Sequence, residues 1–235
     1  MKLRIKFSKH GPIVFIGHLD MMRYFQKAMR RAEVDISYSG GFSPHQIMSF
    51  AAPLGVGLAS NGEYMDIGVD SLTSAAQVKD ALNAVMVEGV QIESVKLLPD
   101  NAVNAMSSVA AAKYSVVLRE GHEKTVDFFG QISDYLAQKE ILVTKETKKG
   151  HKEIDLKSHI YEFSYDDVSN SVTLMVDASS SGNIKPGFVL QDYYKFCGAT
   201  AGEFDFIITR EDTYTNIGTE EKPSFVPLDA VGEDY

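Results

Sequence analysis

Polar and apolar residues alternate from the start of the chain: Leu3, Ile5 and Phe7 interleave with Lys2, Arg4 and Lys6. A period of two marks a strand with one face on a core and the other in solvent. After a Gly11-Pro12 turn and a short apolar run at 13–16, the spacing changes. Leu19, Met22, Phe25, Met29 and Ala32 recur at steps of three and four, which predicts a helix over 18–32. Asp20 in its first turn and Arg30 and Arg31 in its last suit the helix dipole. Residues 37–62 are broken by Gly, Ser and Pro, and a loop of this length is usually functional or a packed excursion. Residues 64–69 alternate again as a strand. The Ala-rich, periodic stretch 74–87 predicts a helix with Ser71 or Thr73 as its cap, and 90–98 a strand ending at Pro99.

A second cycle follows the Ala/Asn/Ser-rich stretch 100–112, which reads as a linker. Strands are expected at 114–118 and 141–144, with a helix between them over 122–139 that sets Val126, Phe129, Ile132 and Leu136 on one stripe. The run 145–153 reads as a basic hairpin tip carrying Lys145, Lys148, Lys149 and Lys152. Strands at 160–165 and 172–176 look like antiparallel partners. A helix over 188–196 opens near Pro186, and a strand at 204–209 closes the cycle. Residues 211–235 lack periodicity and are rich in acids, so they read as an acidic tail. Each half then spells β-α-β-β-α-β. The expected fold class is α+β, with two tandem ferredoxin-like halves built on antiparallel sheets. The expected domains are 1–100 with the motif loop 37–62, and 113–210. The alternative is one continuous α+β sheet covered by four helices.

Composition narrows the function. The abundance of apolar residues, 44% of the chain, excludes intrinsic disorder as a class. The single cysteine, Cys197, excludes an internal disulfide, a Cys₄ zinc site and an iron–sulfur cluster bound by this chain. It reads as a buried small hydrophobe on an apolar helix. No apolar h-region follows the N-terminus and no window approaches a membrane span, so a cytoplasmic protein is expected. The net charge of −9 argues against a polyanion partner. That value is an average over opposite regions. Residues 1–50 carry eight basic and three acidic groups, whereas 203–235 carry two basic and nine acidic ones. Lys2, Arg4 and Lys6 share one strand face, while Arg23, Lys27 and Arg30 or Arg31 recur along the helix away from its apolar stripe. Such faces can meet phosphate, RNA or an acidic partner.

The runs KLRIKFSKHGPIVFIGHLDMMRYFQKAMRRA and YSGGFSPHQIMSFAAPLGVGLASNGEYMDI resemble the radical-SAM-associated (radical-SAM-linked) protein family, a bacterial domain of unknown function. The positions that carry the resemblance are Phe15, His18, Leu19, Asp20, Arg23, Arg30, Arg31, Gly41, Phe42, Pro44, His45, Pro53, Leu54, Gly55, Glu63, Tyr64 and Asp66. More loosely, 153–160 and 182–186 extend it. Gly17, Ser43 and Gln46 depart from the family's usual Ser, Asn and Pro. The resemblance implies a radical SAM enzyme as partner and work on RNA or the ribosome. The chain itself lacks the CxxxCxxC triplet that would hold the cluster.

Candidate chemistry centres on two histidines. His18 opens the first helix and His45 lies in the loop beyond it, with Asp20 nearby. Imidazoles can exchange protons in general acid–base work such as RNA cleavage, so an RNA-processing or RNA-modifying enzyme is the alternative function. The plainer reading lets His18 cap the helix and pairs Asp20 with Arg23. A metal held by His18, Asp20 and His45 has no HExxH or CxxC spacing behind it, and none is expected. No GxGxxG or phosphate-loop motif is present, and no cofactor is expected. The non-catalytic expectation is an anion or RNA surface from Lys6, Arg23, Lys27, Arg30, Arg31, Ser39, Gly41, Phe42 and His45.

Overall fold

The computed structural model describes residues 1–122, 124, 126–147, 150–202 and 204–235. The chain divides into two compact units, Met1–Ala110 with Arg210–Tyr235, and Ala111–Thr209. The protein is of the α+β class, and its strands pair mostly antiparallel.

The first unit contains β1 (Lys2–Lys9), α1 (His18–Arg31), β2 (Met48–Phe50), β3 (Ala59–Gly68), α2 (Ala75–Asn83), β4 (Val90–Leu97) and the short α3 (Ala105–Ser108). β1 lies between β3 and β4, and β2 takes the other edge of β3, giving the order β4-β1-β3-β2. Leu3, Ile5 and Phe7 pack against Met21, Phe25 and Met29 of α1. The rings of Phe7 and Phe25 lie 4.8 Å apart and tilted. The core row of α1 is therefore Met21, Phe25, Ala28 and Met29. Leu19, expected on that row, is 61% exposed. The helix is turned by about one residue from its predicted stripe, since 21, 25 and 28 also satisfy the helical spacing. Ser74 caps α2 by accepting from the Gln77 N–H at 3.1 Å, in place of the expected Ser71 or Thr73.

The second unit contains β5 (Ala111–Leu118), α4 (Val126–Phe129), α5 (Ile132–Ala137), β6 (Leu142–Thr147), β7 (Gly150–Asp155), β8 (Ile160–Asp166), β9 (Ser171–Asp177), α6 (Pro186–Phe196) and the start of β10 (Phe206–Asn216). Its strand order is β10-β5-β9-β8, with β6 and β7 forming a separate hairpin. The core gathers Tyr135, Phe163, Leu174, Leu190 and Tyr193. The single helix expected over 122–139 is two short ones, broken at Gly130, the residue type that costs a helix interior most after Pro. The break lets Phe129 stack on Tyr165, with ring centres 4.3 Å apart. In the expected basic tip, Lys145 donates to the Gly182 and Asn183 carbonyls, while Lys148 and Lys149 lie outside the described residues.

Residues 211–235 are folded into the first unit rather than forming a tail. Here β10 continues beside β3, β11 (Phe225–Pro227) pairs with it, and a 3-10 turn follows at Leu228–Val231. The approach of β10 to β3 needs Gly62, because a Cβ there would stand 2.7 Å from Asp212 Cα. Several of the acids that suggested a solvated tail find partners. Asp212 meets Lys6 and Tyr64, Asp229 meets Tyr64 and Ser94, and Asp234 meets Lys96.

Candidate functional site

The polar face of β1 is not a free basic surface. Arg4 is fully buried and forks onto both oxygens of Asp66, at 2.8 and 2.9 Å. Two further N–H groups reach the carbonyls of Leu228 and Val103. Lys6, expected among the ligand-binding residues, instead bonds Asp212 at 2.6 Å and lies over the Tyr64 ring. The cause is tertiary: the stretches that read as linker and tail, 103–105 and 228–231, carry the groups that meet this face. Burial, followed by the charges of Asp212 and Asp229, pushes the Tyr64 hydroxyl far above the ordinary phenol range.

The outer face of α1 stays open. Arg23, Lys27 and Arg30, at steps of four and three, are exposed along one row. Arg23 pairs with Asp20 at 3.0 Å, the i, i+3 contact anticipated above, and the pair is well exposed. Arg31 turns aside to the Val85 carbonyl. The motif loop closes on itself. The Ser39 N–H donates to the His45 carbonyl at 2.8 Å, the His45 N–H donates to Ser39 Oγ, and His45 Nδ1 shares a 2.8 Å hydrogen bond with the same hydroxyl. Gly41 sits at φ +98°, which a side chain would strain, and the next residue, Phe42, is fully exposed. Buried Gln46 anchors the loop to α1 by donating to the Gln26 carbonyl, which also receives Arg30 Nε. Sequence spacing alone does not reveal that clamp. It sets the loop with Tyr38 and Phe42 against the helix that bears Arg30.

His18 occupies a different place. Its ring stands edge-on to Phe50, with centroids 5.2 Å apart, and lines a cleft with Phe7, Lys9, Met21, Phe50, Pro53, Leu54 and Glu63. His45 is not among these residues, so the two imidazoles expected to act as acid and base do not share the cleft. Among the described residues no group of three His, Cys, Asp or Glu side chains could hold a metal ion. Glu63 is buried, and Arg210 Nη1 contacts both of its oxygens, at 2.9 and 3.2 Å. Burial pushes the Glu63 carboxyl up, outweighing the opposing pull of Arg210. Burial likewise pushes the Lys9 ammonium down, against the attraction of Glu63. Lys9 was missed from the sequence, and Glu63 entered only through the resemblance. A signal existed for both. Lys9 continues the odd series Leu3, Ile5, Phe7, and Glu63 begins the series Glu63, Met65, Ile67, so each places a charge on a core-facing strand position.

These features define an α+β protein with an open basic helix face beside an aromatic loop, and a separate cleft with a charged wall. The chain belongs to the DUF2344 family of uncharacterized proteins conserved in bacteria, whose model matches residues 2–186. No curated protein matches the chain. No helix is long and apolar enough to cross a membrane among the described residues.

Proposed function

We propose that this protein is an RNA-binding accessory module whose contact surface is the exposed row Arg23, Lys27 and Arg30 together with the loop 39–45. The observation that carries this reading is the placement of a fully exposed Phe42 and a half-exposed Tyr38 on a loop clamped to the helix that bears the cations. Basic side chains that track a phosphate backbone, with aromatic rings offered to bases, are the two components of single-strand recognition. Lys6 drops out of the surface because Asp212 neutralises it.

The element order β-α-β-β-α-β with strand order β4-β1-β3-β2 supports reading the first unit as ferredoxin-like. The order β10-β5-β9-β8 supports the same reading of the second, with the β6–β7 hairpin as an insertion. The resemblance set out above supports a radical SAM modification enzyme as the partner this module serves, in the cytoplasm. His45 is engaged by Ser39 and His18 lies in the cleft, which favours binding over paired acid–base catalysis.

The test is fluorescence anisotropy with a short labelled single-stranded RNA. Wild type should bind with an affinity that falls steeply between about 50 and 200 mM salt. The double substitution Arg23→Glu, Arg30→Glu should abolish binding while leaving the melting temperature in place. Binding that is absent in wild type, or unaffected by the reversal of both charges, removes the proposal.

A further inference from the structure

The turn before α1 presents an apolar patch at the far end of the basic row from Phe42. Phe15 is 70% exposed there, Val56 of the neighbouring loop is 63% exposed, and Leu19 stands in the first turn of the helix. Single apolar side chains on a surface need no explanation, but these are held together. The Gly57 N–H donates to the Val14 carbonyl at 2.8 Å, which sets the 53–58 loop beside the turn. Buried Lys9 donates to the Ile16 carbonyl at 2.9 Å and so ties the turn to β1. The turn is fixed from beneath, as Gln46 fixes the loop 39–45.

Leu19, Arg23, Lys27 and Arg30 follow at steps of four, four and three, so they form one exposed line along α1. The line runs from the Phe15 turn to the level of Gln26 and Arg30, where the loop bearing Phe42 is clamped. At 1.5 Å per residue, Leu19 and Arg30 lie about 16 Å apart along the helix. Nucleotides stacked as in a duplex advance about 3.4 Å each along a strand, so about five of them cover that length.

We propose that Phe15 is a second base-stacking anchor and that the protein takes an unpaired RNA segment of about six nucleotides laid along α1. One base stacks on Phe42 and another on Phe15, with the phosphates between them on Arg23, Lys27 and Arg30. This rests on the RNA-binding reading above and adds the length and course of the strand. The cations between the two rings select a polyanion, and a ring at each end selects unpaired bases. An uncharged apolar segment of a protein would leave those cations unmatched.

The experiment combines anisotropy with site-directed crosslinking. Phe15→Ala should weaken a labelled nine-nucleotide single strand about fivefold or more, the loss expected for one stack, and should leave the melting temperature in place because the ring is mostly exposed. Hexamers carrying one 5-iodouridine, at the 5′ or the 3′ end, are then irradiated on the wild-type protein. Mass spectrometry should map one end to the peptide containing Phe15 and the other to the peptide containing Phe42. Affinity of Phe15→Ala within twofold of wild type, or crosslinks from both ends confined to the Phe42 peptide, would overturn the second anchor while Phe42→Ala still weakened binding. Salt-sensitive RNA binding that is absent altogether would overturn the RNA reading and this one with it.

Discussion

Arg4 and Asp66 face each other across β1 and β3 as a forked ion pair, Nε to Oδ1 at 2.8 Å and Nη2 to Oδ2 at 2.9 Å, with the guanidinium wholly removed from solvent. The same Asp66 oxygen accepts the Ala105 N–H at 2.7 Å, and the same guanidinium binds the Leu228 carbonyl. One pair thus fastens two distant chain segments onto the sheet. Asp66→Ala should cost about 3–5 kcal/mol, because it strands a buried charge. Arg4→Lys should not rescue the site, since an ammonium cannot make the fork. Urea denaturation of each variant reads this directly.

The C-terminal segment should behave as part of the first unit's core. Leu228 is fully buried, and Leu228→Ala should cost about 2–5 kcal/mol. Tyr64→Phe removes the hydroxyl that donates to Asp212 at 2.7 Å and Asp229 at 3.3 Å, and should cost about 1–3 kcal/mol. Hydrogen exchange should show protected amides in β10 and at Glu233, which pairs with Leu97. Fast exchange throughout 211–235 would mean the segment is not docked.

Stability should carry the opposite marks of Glu63 and Lys9. The folded-state pKa of Glu63 is raised from its ordinary 4.5, so the native state holds the proton more tightly. Its contribution is greatest below pH 4.5 and declines as pH rises through the raised value. The folded-state pKa of Lys9 is lowered from 10.5, so the unfolded chain binds more protons between the two values. Stability should therefore climb as pH rises through the lowered value toward 10.5. Denaturation across pH, comparing wild type with Glu63→Gln and with Lys9→Met, should show each variant losing its own slope.

Phe42 separates binding from folding. Because it touches solvent on all sides, Phe42→Ala should change stability by less than about 0.5 kcal/mol. RNA affinity should nevertheless fall by about 1–3 kcal/mol, the usual worth of one base–aromatic stack. A folded variant with unchanged affinity would take the loop out of the interface.

Much of the first unit was legible in the chain. Alternation at Leu3, Ile5 and Phe7 marked β1, and the amphipathic run marked α1, because burial of one face imposes its period on the sequence. The same alternation misassigned Arg4 and Lys6 to solvent. Periodicity reports which face is polar, not what packs on it, and here α3 and the 228–231 turn cover that face. The acids of 211–235 resembled a tail for the same reason: Asp212 and Asp229 are charged residues with buried partners far away in sequence. At the site, the row Arg23, Lys27, Arg30 and the loop around Phe42 could be named from spacing and composition. The Gln46–Gln26 clamp, and the cleft that joins Lys9, His18 and Glu63, depend on tertiary contacts that no local pattern encodes.

The salt dependence of RNA binding tests the central claim most directly. Log affinity of wild type plotted against log salt should be linear, with a slope reflecting about 0.7 per phosphate neutralised on a single strand. Lys27→Ala should reduce that slope by one such step while the protein remains fully folded. A slope that is flat in wild type, or that Lys27→Ala leaves unchanged, would contradict the account.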